Sequence, residues 1–341
     1  MTISNRIINI KTWHSLIRLL LAAFPLLAGC PSSKEPSGKA TGKPTVRVAY
    51  FPNVTHSAAL YASAKGLFGK ALGDSGSVEE RVFKAGPEEI EALFAGEVDL
   101  GYIGPGPAVN GFLKSKGEAL QIIAGASSGG AALVVRQDTA IMGLRDLDGK
   151  RVAVPQTGGT QDISLRHALK TVGLDAKDKG GTVDVVQFAP ADVLNLFPRG
   201  ELDAAWLPEP WVARLESEQG AKLVLDEKTL WPEGRFSTAV VIVRSEFLKA
   251  HPELVTKLLL AHQEAVKAIQ AEPDTARAAI GEKIKALTGK AIPDALLKTA
   301  LTRTEITTDP LKESILTFAD WSKDLGYLRE GREALKELFK D

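Results

Sequence analysis

Short apolar, β-branched runs such as Val46-Arg47-Val48-Ala49-Tyr50 alternate along the chain with stretches whose apolar positions recur every three or four residues. That alternation predicts βαβ units and a mostly parallel sheet. A weak echo runs through it. Arg47-Val48-Ala49 returns as Arg151-Val152-Ala153, and Gly96-Glu97-Val98-Asp99 with Tyr102-Ile103 returns as Gly200-Glu201-Leu202-Asp203 with Trp206-Leu207, both at an offset of 104 residues. Between these markers, residues 90–94 and 193–197 have the spacing of short amphipathic helices that stop at a Gly-Glu turn. Asp99 and Asp203 read as turn residues ahead of buried strands. The echo predicts two similar lobes facing each other.

Two further apolar runs, residues 131–136 and 238–244, both end in arginine and bracket the second copy. They are the expected hinge strands, which places the first lobe at residues 45–135 and 239–341 and the second at 136–238. Beyond Arg244 the pattern is helical, with an apolar stripe over residues 253–269 and a Leu-, Lys- and Glu-rich stretch over 311–339. These helices are expected to return to the first lobe.

The N-terminus reads differently. Arg6, Lys11 and Arg18 precede an apolar run at residues 19–28 that closes in Leu27-Ala28-Gly29-Cys30. A positive segment followed by a short apolar one is the order of a signal peptide, here residues 1–29, and the run is shorter than the roughly 20 residues a membrane span needs. Leu-Ala-Gly-Cys resembles the bacterial lipobox, which makes Cys30 the expected site of lipid attachment and the first residue of the mature chain. It is the only cysteine among 341 residues, so no internal disulfide is possible. Residues 30–44, rich in Pro, Ser, Gly and Lys, read as a flexible tether. The expected location is outside the cytoplasm, lipid-anchored to a membrane.

Charge adds little pull toward any polymer. The chain is formally neutral, with 42 basic and 42 acidic side chains, and loss of the leader would remove three of the basic ones, so nothing recruits nucleic acid. With 44% hydrophobic residues the chain can fill the cores of two lobes.

Ligands of open α/β sheets bind beyond the carboxyl ends of the strands, where loops lead into helix starts. The loops expected there are small, polar or glycine-rich: residues 51–57 with Asn53 and His56, 104–108 beginning at Gly104, 125–130 with Ser127 and Gly130, and 155–162 with Gln156, Thr157, Thr160 and Gln161. Small residues let a ligand approach the backbone, hydroxyls donate, and helix N-termini favour negative charge. The chemistry points to an anion site without a buried arginine. Each loop alone also reads as a capped turn, and His56 as a capping or packing residue. Trp206 suits either stacking over a ligand or the core. Glu209, held between Pro208 and Pro210, suits either a cationic group in the cleft or a helix cap, and Trp211 suits packing.

In these motifs the sequence resembles the substrate-binding proteins of nitrate, aliphatic sulfonate and taurine ABC importers, nearest the sulfonate branch. The likeness runs from Tyr50-Phe51-Pro52-Asn53 through Gly86-Pro87-Glu88, Gly101-Tyr102-Ile103-Gly104-Pro105, Ser127-Ser128-Gly129-Gly130-Ala131 and Thr157-Gly158-Gly159-Thr160-Gln161-Asp162 to Trp206-Leu207-Pro208-Glu209-Pro210-Trp211 and Leu230-Trp231-Pro232. The resemblance implies a type II periplasmic-binding fold: α/β, two lobes each with a mixed sheet flanked by helices, and two hinge strands. It also implies a monomer that closes on a small anionic, sulfonate-like ligand and delivers it to an ABC permease in the membrane. Nitrate, bicarbonate or a pyrimidine could take the sulfonate's place. Relatives that handle a pyrimidine precursor of thiamine typically carry a cysteine-rich stretch, which this sequence lacks.

Neither a Walker loop, a Gly-x-Ser-x-Gly elbow nor a histidine and carboxylate cluster at metal-ligand spacing occurs in the sequence, so no catalysis, metal or cofactor is expected. A sensory clamshell that signals rather than transports would ordinarily carry a DNA-binding or transmembrane module as well.

Overall fold

The computed structural model describes residues 43–340; the leader and Cys30 lie outside them. The first part of the chain runs β1 (Thr45–Tyr50), α1 (Ser57–Ala64), α2 (Leu67–Leu72), β2 (Ser77–Val82), α3 (Gly86–Phe94), β3 (Leu100–Ile103), α4 (Pro105–Lys114) and β4 (Leu120–Gly129). The middle runs β5 (Ala131–Val135), β6 (Arg151–Val154), α5 (Thr160–Thr171), β7 (Asp184–Gln187), α6 (Pro190–Leu196), β8 (Ala204–Pro208), α7 (Trp211–Gln219) and β9 (Lys222–Asp226). The remainder is β10 (Ser237–Arg244), α8 (Ser245–Ala250), α9 (Pro252–Ala271), α10 (Pro273–Thr288), α11 (Asp294–Thr302), β11 (Thr304–Ile306) and α12 (Lys312–Asp324).

Two mixed sheets result. One has the order β11-β4-β10-β3-β1-β2, the other β7-β6-β8-β5-β9. Read from the opposite edge, the second repeats the first without β11. In each, three parallel strands end against a central antiparallel one: β2-β1-β3 against β10, through β3, and β7-β6-β8 against β5, through β8. The echo in the sequence is therefore an echo in topology. Period-2 alternation buries both faces of each central strand. Val241 and Val243 of β10 join a core with residues of α1, α9 and α10, while Val240 and Ile242 point the other way onto α3, α4 and α12. In β5, Ala132 and Val134 pack with α6 and α7, Leu133 and Val135 with α5.

The same carboxylate clamp sits at the base of each sheet. Asp99 Oδ2 accepts the Arg47 N–H (3.0 Å) and Asp203 Oδ2 accepts the Arg151 N–H (2.9 Å). The arginine ending the antiparallel strand donates its backbone N–H to the aspartate carbonyl, Arg244 to Asp99 and Arg136 to Asp203, both at 2.9 Å. In the first lobe the clamp is also ionic: Arg47 Nε lies 2.8 Å from Asp99 and Arg244 Nη2 2.8 Å. The carboxylate there is wholly buried. Burial would raise its pKa, but the bonds from Arg47 and Arg244 outweigh burial and hold it below the usual range.

This symmetry corrects the expected boundaries. Residues 131–136 and 238–244 do not cross between lobes; they are equivalent strands, each wholly inside one sheet. The first crossing is at Gly129 and Gly130, both at positive φ, where a Cβ on Gly130 would sit 2.2 Å from Thr304 Oγ1. The second occupies the segment between β9 and β10. There the buried Glu227 accepts from Ser164 Oγ (2.6 Å) and Trp206 Nε1 (2.7 Å). The expected stripe at 253–269 is α9, which buries Leu254, Leu258, Ala261, Ala265 and Ile269. The stretch over 311–339 is α-helical only from Lys312 to Asp324, Gly326 at φ 76° follows, and a single 3-10 turn at Arg332–Ala334 is the helical part of the remainder. Helix α12 bridges the lobes: Trp321 stacks on His167 of α5 with centroids 3.8 Å apart.

Asp99→Ala should destabilise the protein by about 3–5 kcal/mol, because two arginines lose a buried partner. Asp203→Ala, whose carboxylate is partly exposed and 3.9 Å from Arg136, should cost about 1–2 kcal/mol. Urea unfolding measures both; equal losses would refute the asymmetry.

Candidate functional site

Five helices begin around one cleft. Gly86 of α3 and Pro107 of α4 line it from the first lobe, and Thr160 of α5, Pro190 of α6 and Trp211 of α7 from the second. The cleft encloses about 510 Å³. The first-turn N–H groups of a helix have no intrahelical acceptor, and the dipole is positive at that end. Proline limits what α4 supplies: Pro105 and Pro107 have no N–H, and that of Gly106 reaches across to Thr160 Oγ1 at 3.4 Å. The Thr160 hydroxyl accepts this bond, which leaves its own proton for a ligand. Gly104 fits against the same side chain; a Cβ there would lie 2.5 Å from Thr160 Oγ1.

Of the sequence-derived candidates, Asn53, His56, Gly104, Gln156, Thr160 and Gln161 line the cleft. The Asn53 carbonyl oxygen already accepts from Thr55 Oγ1 (2.7 Å), so its amide is the part left for a ligand. His56 is buried, stacks on Phe51 at 4.4 Å, and accepts the Phe51 N–H at Nδ1 (3.2 Å). Burial pushes its pKa from 6.5 down to about 3. The ring is neutral, so Nε2 carries the proton and is its only donor.

Other candidates sit elsewhere. Thr157 is exposed, its N–H bonded to Gln187 Oε1 (3.0 Å). Ser127 is buried in β4 with no partner for Oγ, away from the cleft lining. Gly130 belongs to the first crossing. Trp206 is fully buried with its indole N–H on Glu227, a core residue rather than a stacking platform. Glu209 is also buried: it accepts the Ala213 N–H (3.0 Å) at the start of α7 and a bond from Arg303 (3.0 Å). It ties the lobes together instead of facing a ligand.

The side chains that replace them were passed over in the sequence. Trp211, read as packing, lines the cleft with the Arg214 guanidinium 5.1 Å from its ring. Arg214 also lines the cleft and is held by Glu218 through Nε (2.6 Å). Lys84 and Lys290 add charge, against a single lining carboxylate, Asp192. Spacing of three on one helix, which puts Trp211 and Arg214 side by side, was the available signal.

The His56 shift has a sign that can be tested. An unfolded histidine takes up its proton near pH 6.5 and the buried one only near pH 3, so stability is lost as pH falls between these values. From pH 7 to pH 5 the parent should lose about 2 kcal/mol more than His56→Gln in urea unfolding; parallel pH profiles would refute the buried neutral ring.

A family model described as NMT1-like matches residues 39–282. A putative binding protein of Brucella abortus (strain 2308) is 33% identical over 214 residues, a match covering 62% of this chain and 63% of the relative. The taurine-binding periplasmic protein of Escherichia coli K12 is 30% identical over 213 residues, with the same shares. The chain thus spans less than two thirds of the length of these curated relatives. The alkanesulfonate-binding protein SsuA from Xanthomonas axonopodis pv. citri, solved with MOPS, has the same fold. Its TM-score is 0.68 at 21% identity, covering 89% of this chain and 96% of that one. Since the family model covers well over half of its residues, the chain belongs to the NMT1-like family.

Proposed function

We propose that this protein is an exported, lipid-anchored solute-binding protein of an ABC importer, a monomer that captures a small oxyanion, an aliphatic sulfonate, in the interlobe cleft and delivers it to the permease. The observation that carries this reading is the convergence of five helix N-termini from two lobes on one cleft, with Lys84, Arg214 and Lys290 outnumbering Asp192. Dipoles, N–H groups and cations of one sign suit an anion. Apolar side chains share the lining, among them Phe51, Phe83 and Trp211, and a sulfonate brings a carbon tail to meet them where nitrate brings none. The names of the taurine- and alkanesulfonate-binding relatives agree. Donors stand on both lobes, so neither alone satisfies the ligand, and closure follows from the contacts the ligand adds.

Thermal unfolding with a panel of taurine, alkanesulfonates, nitrate and bicarbonate tests the ligand class. A true ligand at a hundredfold excess over its Kd should add about 2.7 kcal/mol, and Thr160→Ala should weaken it by about 1–3 kcal/mol. Stabilisation by nitrate alone would refute the sulfonate assignment.

For the anchor, mass spectrometry of the native N-terminus should find a diacylated Cys30 as the first residue; a mature chain beginning elsewhere would refute it.

A further inference from the structure

We propose that the cleft holds a second subsite for a ring-sized apolar group on the tail of its anion, so that the protein favours bulky or aromatic sulfonates over short ones. The inference rests on the anion reading above and adds the tail. Its first support is size. The lobes already touch beside the cleft, Gly106 N–H on Thr160 Oγ1 at 3.4 Å and Val54 N–H on the Glu209 carbonyl at 3.2 Å. The 510 Å³ between them is therefore not the gap of lobes standing apart. Clefts of about 300–1,000 Å³ hold drug-sized molecules, and a nitrate or methanesulfonate ion would leave most of this one as water.

The second support is chemistry. The donors Thr160, Gln161 and His56 belong to the helix starts, whereas Val82, Trp211, Leu287 and Ile292 bring apolar surface from β2, α7, α10 and the loop after α10 to the same cleft. Val82 is 45% exposed at the end of β2, one of few large apolar side chains so open among the described residues. Trp211 is braced by Arg214, itself fixed by Glu218. A braced indole gives a second ring stacking and burial that a methyl group cannot match. Wet apolar walls beside an anion site are the feature that a small inorganic anion leaves without a use.

Calorimetry with p-toluenesulfonate, methanesulfonate and nitrate on the full chain decides it. The arylsulfonate should bind the parent protein about tenfold or more tightly than methanesulfonate, and that ratio should fall toward one in Trp211→Ala and recover in Trp211→Phe. Ile292→Ser, in the loop after α10 where the side chain is half-buried, should lower the same ratio. Equal affinity for both sulfonates overturns the subsite and leaves the anion reading standing. Binding of nitrate alone, or of no anion, overturns both.

Discussion

A carboxylate at the base of each sheet sets what lies at the top. Asp99 and Asp203 each accept a backbone N–H from one strand, that of Arg47 early in β1 and that of Arg151 at the start of β6, and offer a carbonyl to the N–H of the arginine at the end of another, so three strands are pinned in register at one end. Register in a sheet buried on both faces has little else to fix it, because a slip exchanges one apolar side chain for another. With the bases aligned, the carboxyl ends of β1, β3, β6 and β8 finish together, and the loops that follow deliver their helix starts to a common cleft. The anion site is thus a consequence of how the opposite end is fastened.

The two clamps differ in strength for a physical reason. In the first lobe two guanidinium groups reach a fully buried carboxylate, while in the second Arg136 stands off at 3.9 Å and the carboxylate is partly in water. The first lobe also carries β11 and the helices that follow β10. Contacts between lobes use other residues again: Glu209 with Arg303, Thr160 with Gly104 and Gly106, and Trp321 on His167. Each joins positions far apart in the chain.

That distance explains what could be read in advance. The echo at 104 residues was legible because its markers, a Gly-Glu turn and an aspartate before a buried strand, are local. The crossings are hidden for the same reason: runs 131–136 and 238–244 look alike because they are equivalent central strands, and that likeness reads as a shared hinge the fold does not contain. Trp206 and Trp211 exchanged roles because β8 is apolar on both faces, so alternation gives no polar side to tell core from cleft. Six of the eleven ligand candidates reached the cleft on loop chemistry alone. Glu209 could not be placed, since its partner Arg303 is 94 residues away.

The two crossings also order the assembly of the molecule. Residues 131–226 form one continuous sheet, whose strands meet across short and medium separations. The other sheet is interrupted: β10, which lies between β3 and β4, emerges only after the entire second lobe. Until it arrives, β3 and β4 present unpaired edges, and such edges invite pairing with other chains. A protein threaded from its N-terminus would complete its second lobe first and its first lobe last. The opening strands wait for the closing ones, so the contacts that complete the first sheet are those of longest sequence separation.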